Sequence, residues 1–209
     1  SPDGQSIVSA GADHTVRVWS AATGECVQTL AGHSNWVKSA KFSPDGQSIV
    51  SASYDETVRV WNATTGECLQ TLVGHRGWVW LAQFSPDGQS IVSAGHADKT
   101  VRVWSAATGK CVQLAKERHY CVWSVVSEMY VRLEKVRHYW VFSAQFSPDG
   151  QSIMSACSDN RMRVWSTATG ECVQTLAVED ELLSARFSSD NQIAVSAVIG
   201  NMIQMYYLK

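Results

Sequence analysis

The stretch that decides the fold runs from Gly32 to Leu72: GHSNWVKSAKFSPDGQSIVSASYDETVRVWNATTGECLQTL. "WVKSAKF" alternates as a strand does, and "SPDG" turns the chain, with Pro suited to the second position and Gly free to take φ > 0. "SIVSAS" then reads as a second strand, "YDE" as a tight turn, "TVRVW" as a third strand, "NATTGE" as a turn and "CLQTL" as a fourth strand. Val and Ile enrichment, period-two alternation and regularly spaced turn residues predict antiparallel sheet. No segment carries a convincing helical period.

This stretch is one copy of a repeat. "SPDGQSI" begins at Ser1, Ser43, Ser85 and Ser147, with a decayed "SSDNQI" at Ser188. "RVW" ends at Trp19, Trp61, Trp104 and Trp165, and "IQMY" sets Tyr206 in that place. Both markers advance by 41 to 43 residues per copy, except across one longer step of 61 or 62. Four short strands per forty-odd residues is the pattern of a propeller blade. The units fall at about 1–30, 31–72, 73–114, 137–176 and 177–209, in one domain.

The longer step holds an irregular segment at about 115–136. There "RHYCVWS" at 118–124 is answered by "RHYWVFS" at 137–143, so the segment reads as an inserted hairpin or a truncated blade. The chain opens on "SPDG" without the strand that precedes this turn in later copies, and it stops after the third strand of the last unit. The expected fold is all-β: a β-propeller of about four to five four-stranded antiparallel blades, incomplete at both chain ends. It would be an open arc, a partial ring or a fragment of a larger propeller.

Gly32-His33, Gly74-His75, the "FSPDG" hairpins, the "S-A-x-x-D" segments and "TVRVW" make nearly the whole chain resemble the WD-repeat (WD40) β-propeller family. The resemblance implies a His–Ser–Asp–Trp hydrogen-bond network in each complete blade. The physical need is plain: buried polar groups at strand ends and turns must find partners, and these side chains can serve one another. The sets are His33, Ser51, Asp55 and Trp61; His75, Ser93, Asp98 and Trp104; and His138, Ser155, Asp159 and Trp165. The first unit keeps Ser9, Asp13 and Trp19 without a His. The last keeps Ser196, with Gly200 and Tyr206 at the Asp and Trp positions. A Ser/His/Asp set invites a hydrolase reading, but recurrence at repeat positions and the lack of a "GxSxG" elbow argue for scaffold. No enzyme activity is expected. Two ligands per blade are too few for a metal, so neither metal nor cofactor is expected.

The repeats differ most just past Gly-His: "SNWVKSAKF", "RGWVWLAQF", "YWVFSAQF" and "EDELLSARF". The family resemblance implies that partners contact this rim of the narrower face. The candidate contact residues are Trp36, Lys38, Tyr54, Trp78, Trp80, Trp140 and Phe142, with Arg76 as a further polar handle. Large aromatics with a polar tip are typical interface anchors. Packing between blades is the other reading, above all for Trp78 and Trp80, which share a face of "WVWLA". The sequence leaves both readings open.

The net charge of −2 is made of scattered groups, so no basic face points to nucleic acid or an anionic membrane. No apolar run approaches the roughly eighteen residues of a membrane span, and no leader pattern opens the chain. Cys26, Cys68, Cys111 and Cys172 occupy equivalent repeat positions, too far apart to pair, while Cys121 and Cys157 lack metal-ligand spacing. All six read as reduced, mostly buried thiols, which points to the cytoplasm. The expected function is a non-catalytic scaffold that binds protein or peptide through the aromatic face. Two alternatives are a self-assembling module that oligomerises through open blade edges and a lectin-like site for a small ligand.

Overall fold

The turn residues punctuate the chain where the repeat places them, and each unit folds as one sheet. The computed structural model describes residues 1–96, 98, 100–111, 140–178, 182–189, 193–198 and 203–207. Blade 1 comprises β1 (Ser6–Ala10), β2 (Thr15–Ser20) and β3 (Cys26–Ala31). Blade 2 comprises β4 (Val37–Phe42), β5 (Ser48–Ser53), β6 (Thr57–Asn62) and β7 (Cys68–Val73). In blade 3, β8 (Val79–Phe84), β9 (Ser90–Gly95) and β10 (Thr100–Ser105) are described. Blade 4 comprises β11 (Val141–Phe146), β12 (Ser152–Cys157), β13 (Arg161–Ser166) and β14 (Cys172–Ala177). Blade 5 comprises β15 (Leu182–Phe187), β16 (Ile193–Val198) and β17 (Ile203–Tyr207). The segment 115–136, His138 and Gly200 lie outside the described residues.

Every neighbouring pair is antiparallel, and the register repeats: Ile7 faces Trp19, Ile49 faces Trp61, Ile91 faces Trp104 and Ile153 faces Trp165. The "SPDG" turn is closed by its own side chains. In blade 2, Asp45 Oδ1 accepts the Gln47 N–H at 3.0 Å, Ser43 Oγ accepts the Ser48 N–H at 2.9 Å, and Gly46 sits at φ 73°. That left-handed backbone is why Gly holds the fourth place of the turn.

The apolar cores lie between blades. Val16, Val18 and Leu30 of blade 1 pack with Ile49 and Trp61 of blade 2. Val50, Val58, Val60 and Leu72 of blade 2 pack with Ile91 and Trp104 of blade 3. Val92 and Val103 meet Ile153 and Trp165, and Met154 and Met162 meet Leu182 and Ala185. In each "SIV" the Ile thus faces the preceding blade and the Val the following one. Among the described residues no blade packs over this face of blade 1: Ile7 is 56% exposed, whereas Ile49, Ile91 and Ile153 are 0% exposed. The ring does not close, and the molecule is a partial propeller.

The cysteines correct one expectation. Cys26, Cys68 and Cys172 are exposed, because they begin the outermost strands β3, β7 and β14, where no further strand covers them. Cys111 is partly covered and Cys157 is buried, and among the described residues no cysteine is in a disulfide. Burial pushes the Cys157 thiol up to about 12. Among the described residues, no helix is long and apolar enough to cross a membrane.

Candidate interaction face

The polar network is complete in blades 2 and 3. In blade 2, Trp61 Nε1–H donates to Ser51 Oγ at 2.8 Å, Ser51 Oγ lies 2.7 Å from His33 Nε2, and His33 Nδ1 lies 2.7 Å from Asp55 Oδ2. Blade 3 repeats this with Trp104, Ser93, His75 and Asp98 at 2.8, 2.7 and 2.8 Å. A neutral imidazole protonated on Nδ1 satisfies the whole chain: the indole donates to Ser, Ser to Nε2, and Nδ1 to the carboxylate. Burial raises the Asp55 carboxyl, but hydrogen bonds from His33 and Thr57 outweigh it and hold the group well below its usual range. Asp98 is held low in the same way. Burial lowers the His75 imidazole against the pull of Asp98, consistent with the neutral form. The geometry is that of a hydrolytic relay, yet Ser51 and Ser93 are fully buried and already hold the indole.

In blades 1 and 4 the described residues carry these contacts. In blade 1, Trp19 donates to Ser9 at 2.8 Å, while Arg17 takes Asp13. In blade 4, Trp165 donates to Ser155 at 3.0 Å and Arg163 reaches Asp159 at 2.6 Å. In blades 2 and 3, where His holds the Asp, the equivalent arginines, Arg59 and Arg102, lie over the rings of Trp61 and Trp104, with Arg102 still 3.9 Å from Asp98.

Above the network runs a ladder of stacked rings. Trp36 stacks on Tyr54 with centroids 5.9 Å apart, and Tyr54 stacks on Trp78 of the next blade at 4.6 Å. Trp80 then stacks on His96 at 4.6 Å, and His96 on Trp140 of blade 4 at 4.7 Å. Phe142 meets Trp80 edge-on at 6.3 Å, and the Lys38 ammonium sits 4.5 Å from the Trp80 ring centre. Backbone bonds set the positions: the N–H groups of Tyr54, His96 and Ser158 donate to the carbonyls of Trp36, Trp78 and Trp140. The inner strands β4, β8 and β11 also carry a bulge, with Lys38, Trp80 and Phe142 as the extra residues. A bulge re-aims its side chain and bends the strand locally. Trp78 therefore leans on Tyr54, and Trp80 on His96, from one short segment. The outer members stay open: Trp36 is 53%, Trp78 46% and Trp140 50% exposed. Tyr54, Trp80 and Phe142 are half-buried, and His96 is buried. Burial lowers the His96 imidazole, so the ring enters the stack uncharged at neutral pH.

With this geometry in place, the sequence matches one family model, described as "WD domain, G-beta repeat", over residues 1–20, 24–62, 66–105 and 132–166. These segments make up more than half of the chain. The chain belongs to the WD-repeat family. Among curated WD-repeat relatives, it is 42% identical over 40 residues to the nuclear distribution protein PAC1 of Mycosarcoma maydis, covering 19% of this chain and 9% of that protein. It is 57% identical over 30 residues to a lissencephaly-1 homolog of Heterostelium pallidum, covering 14% of this chain and 7% of that protein. The matches thus span less than a tenth of these relatives' length.

Within this WD-repeat chain the candidate aromatics come together, with Lys38 over Trp80, while exposed Arg76 offers its backbone N–H to Asp98 at 3.0 Å. Sequence reasoning missed His96. Its signal was positional: it holds the turn place that Tyr54 holds one blade earlier, masked by one extra residue before Asp98. Among the described residues, no group of three His, Cys, Asp or Glu is placed to hold a metal ion.

Proposed function

We propose that this WD-repeat chain is a non-catalytic scaffold that binds a protein or peptide across its aromatic ladder. WD repeats generally mediate protein–protein interaction. One observation supports this face above the others: three half-exposed indoles, on Trp36, Trp78 and Trp140, are held rigid by rings stacked behind them. Pre-ordered aromatics contribute contact area at little entropic cost, and a few such anchors dominate interface energetics. The free thiols favour a reducing compartment such as the cytoplasm. Peptides selected from a displayed random library against the protein would test the reading. Trp78→Ala and Trp140→Ala should each weaken the selected peptide at least tenfold while leaving the melting temperature within a few degrees. Unchanged affinity in both variants would refute the assigned face.

A second reading rests on blade 1. Its uncovered face, with Ile7 exposed, is suited to pairing with a second copy. Light scattering across a concentration series decides: a monomer at every concentration removes this reading.

A further inference from the structure

The opposite end of the inner strands holds a different site. A cavity of about 630 Å³ opens at the centre of the arc, below the ladder, and all five blades line it. Its wall repeats one short pattern, x-Phe-Ser-Pro, in blades 2, 3 and 4, and blade 5 contributes Arg186 and Phe187. The variable position of that pattern reads Lys41, Gln83, Gln145 and Arg186 around the cavity. Two cations and two amides converge there, and among the described residues no Asp or Glu lies on the lining.

We propose that this cavity is a binding site for a phosphate-type oxyanion, held between Lys41 and Arg186. Lys41 Nζ donates to Gln83 Oε1 at 2.7 Å, its one hydrogen bond among the described residues, and an ammonium has three protons to give. Arg186 is exposed to the cavity mouth and has no carboxylate partner among the described residues. Arg presents a planar fork suited to oxyanions, and Lys a point charge that completes the site. The two like charges are close enough to act on each other: burial first, and then the Arg186 charge, lower the Lys41 ammonium below its ordinary value. A bound dianion would turn that repulsion into attraction. The amides of Gln83 and Gln145 add neutral donors without adding charge.

The probe is inorganic pyrophosphate, titrated calorimetrically against the whole chain at constant ionic strength. The expected result is saturable one-to-one binding and a rise in melting temperature that matched sodium chloride does not reproduce. Lys41→Gln and Arg186→Gln should each weaken binding at least tenfold. Lys38→Gln, which removes a cation from the ladder face, should leave binding unchanged. Without pyrophosphate, Lys41→Gln should melt no lower than the parent, because it relieves a repulsion. That measurement also shows the variant to be folded. Absent binding, or equal binding by parent, Lys41→Gln and Arg186→Gln, overturns the proposal. So does stabilisation matched by chloride.

Discussion

Tyr54 lies nearly parallel to Trp78, the planes 12° apart and the ring centres 4.6 Å apart, although the two residues belong to different blades. The stack ties the turn of blade 2 to the inner strand of blade 3. Stacked aromatic pairs couple by about 0.5–1.5 kcal/mol beyond their burial. A double-mutant cycle of Tyr54→Leu and Trp78→Leu, read by urea unfolding, should return a coupling of that size. Additive losses would show that the rings merely lie together.

The network around Asp55 is expected to hold the fold. Asp55→Ala strips His33 and Thr57 of their acceptor inside a buried site and should cost about 1–3 kcal/mol by chemical denaturation. Asp13→Ala, at the same position of blade 1, removes an exposed carboxylate whose partners are Arg17 and Thr15, with no buried His among them, and should cost far less than Asp55→Ala. Equal losses would contradict the distinction drawn here between network and surface.

Acid should act through the same carboxylates. Their folded values lie below the unfolded ones, so the unfolded chain binds protons first as pH falls. The stability they contribute is present above about pH 4 and is lost progressively below it. Asp55→Asn should flatten the fall in melting temperature between about pH 4 and pH 2.5 relative to the parent. A profile parallel to the parent's would count against it.

His96 titrates the other way round the neutral range. Its folded imidazole is lowered, so protons favour the unfolded chain once pH drops through the ordinary value of about 6.5. The parent should lose more stability between pH 7.5 and 5.5 than His96→Phe, which keeps a ring between Trp80 and Trp140. Identical slopes would mean that His96 carries its proton as readily in the stack as in water.

Glu56 occupies the left-handed region at φ 69°, in the turn after Asp55. A residue with a Cβ is strained there, and Gly is not. Glu56→Gly should therefore raise stability by about 0.5–1 kcal/mol, measured by urea titration. A loss would place the strain elsewhere in the turn.

How much of this was legible depends on the distance over which each feature is decided. The blade network could be read because Ser51, Asp55 and Trp61 lie on adjacent strands joined by a tight turn, and the repeat printed the pattern several times. The ladder was half legible. Its tryptophans stood out, but His96 was hidden by a one-residue insertion. The exposure of Cys26, Cys68 and Cys172 was not legible. The local pattern "CVQTL" is the same whether or not another strand lies outside it, and only the sheet order decides that. Lys41 and Arg186 line one cavity although they stand 145 residues apart in the chain, and the succession of blades brings them there.

The placement of the cores between blades has a consequence for chain length. Blade 1 presents Val16, Val18 and Leu30 to its neighbour, and blade 2 presents Val58, Val60 and Leu72 at the same places. Blade 3 therefore meets the same surface whichever of the two stands before it. Excising blade 2 whole destroys two seams and creates one, the same net loss as trimming a blade from an end. Stability in such a molecule counts seams, and its length can be edited by whole repeats without redesigning a single core.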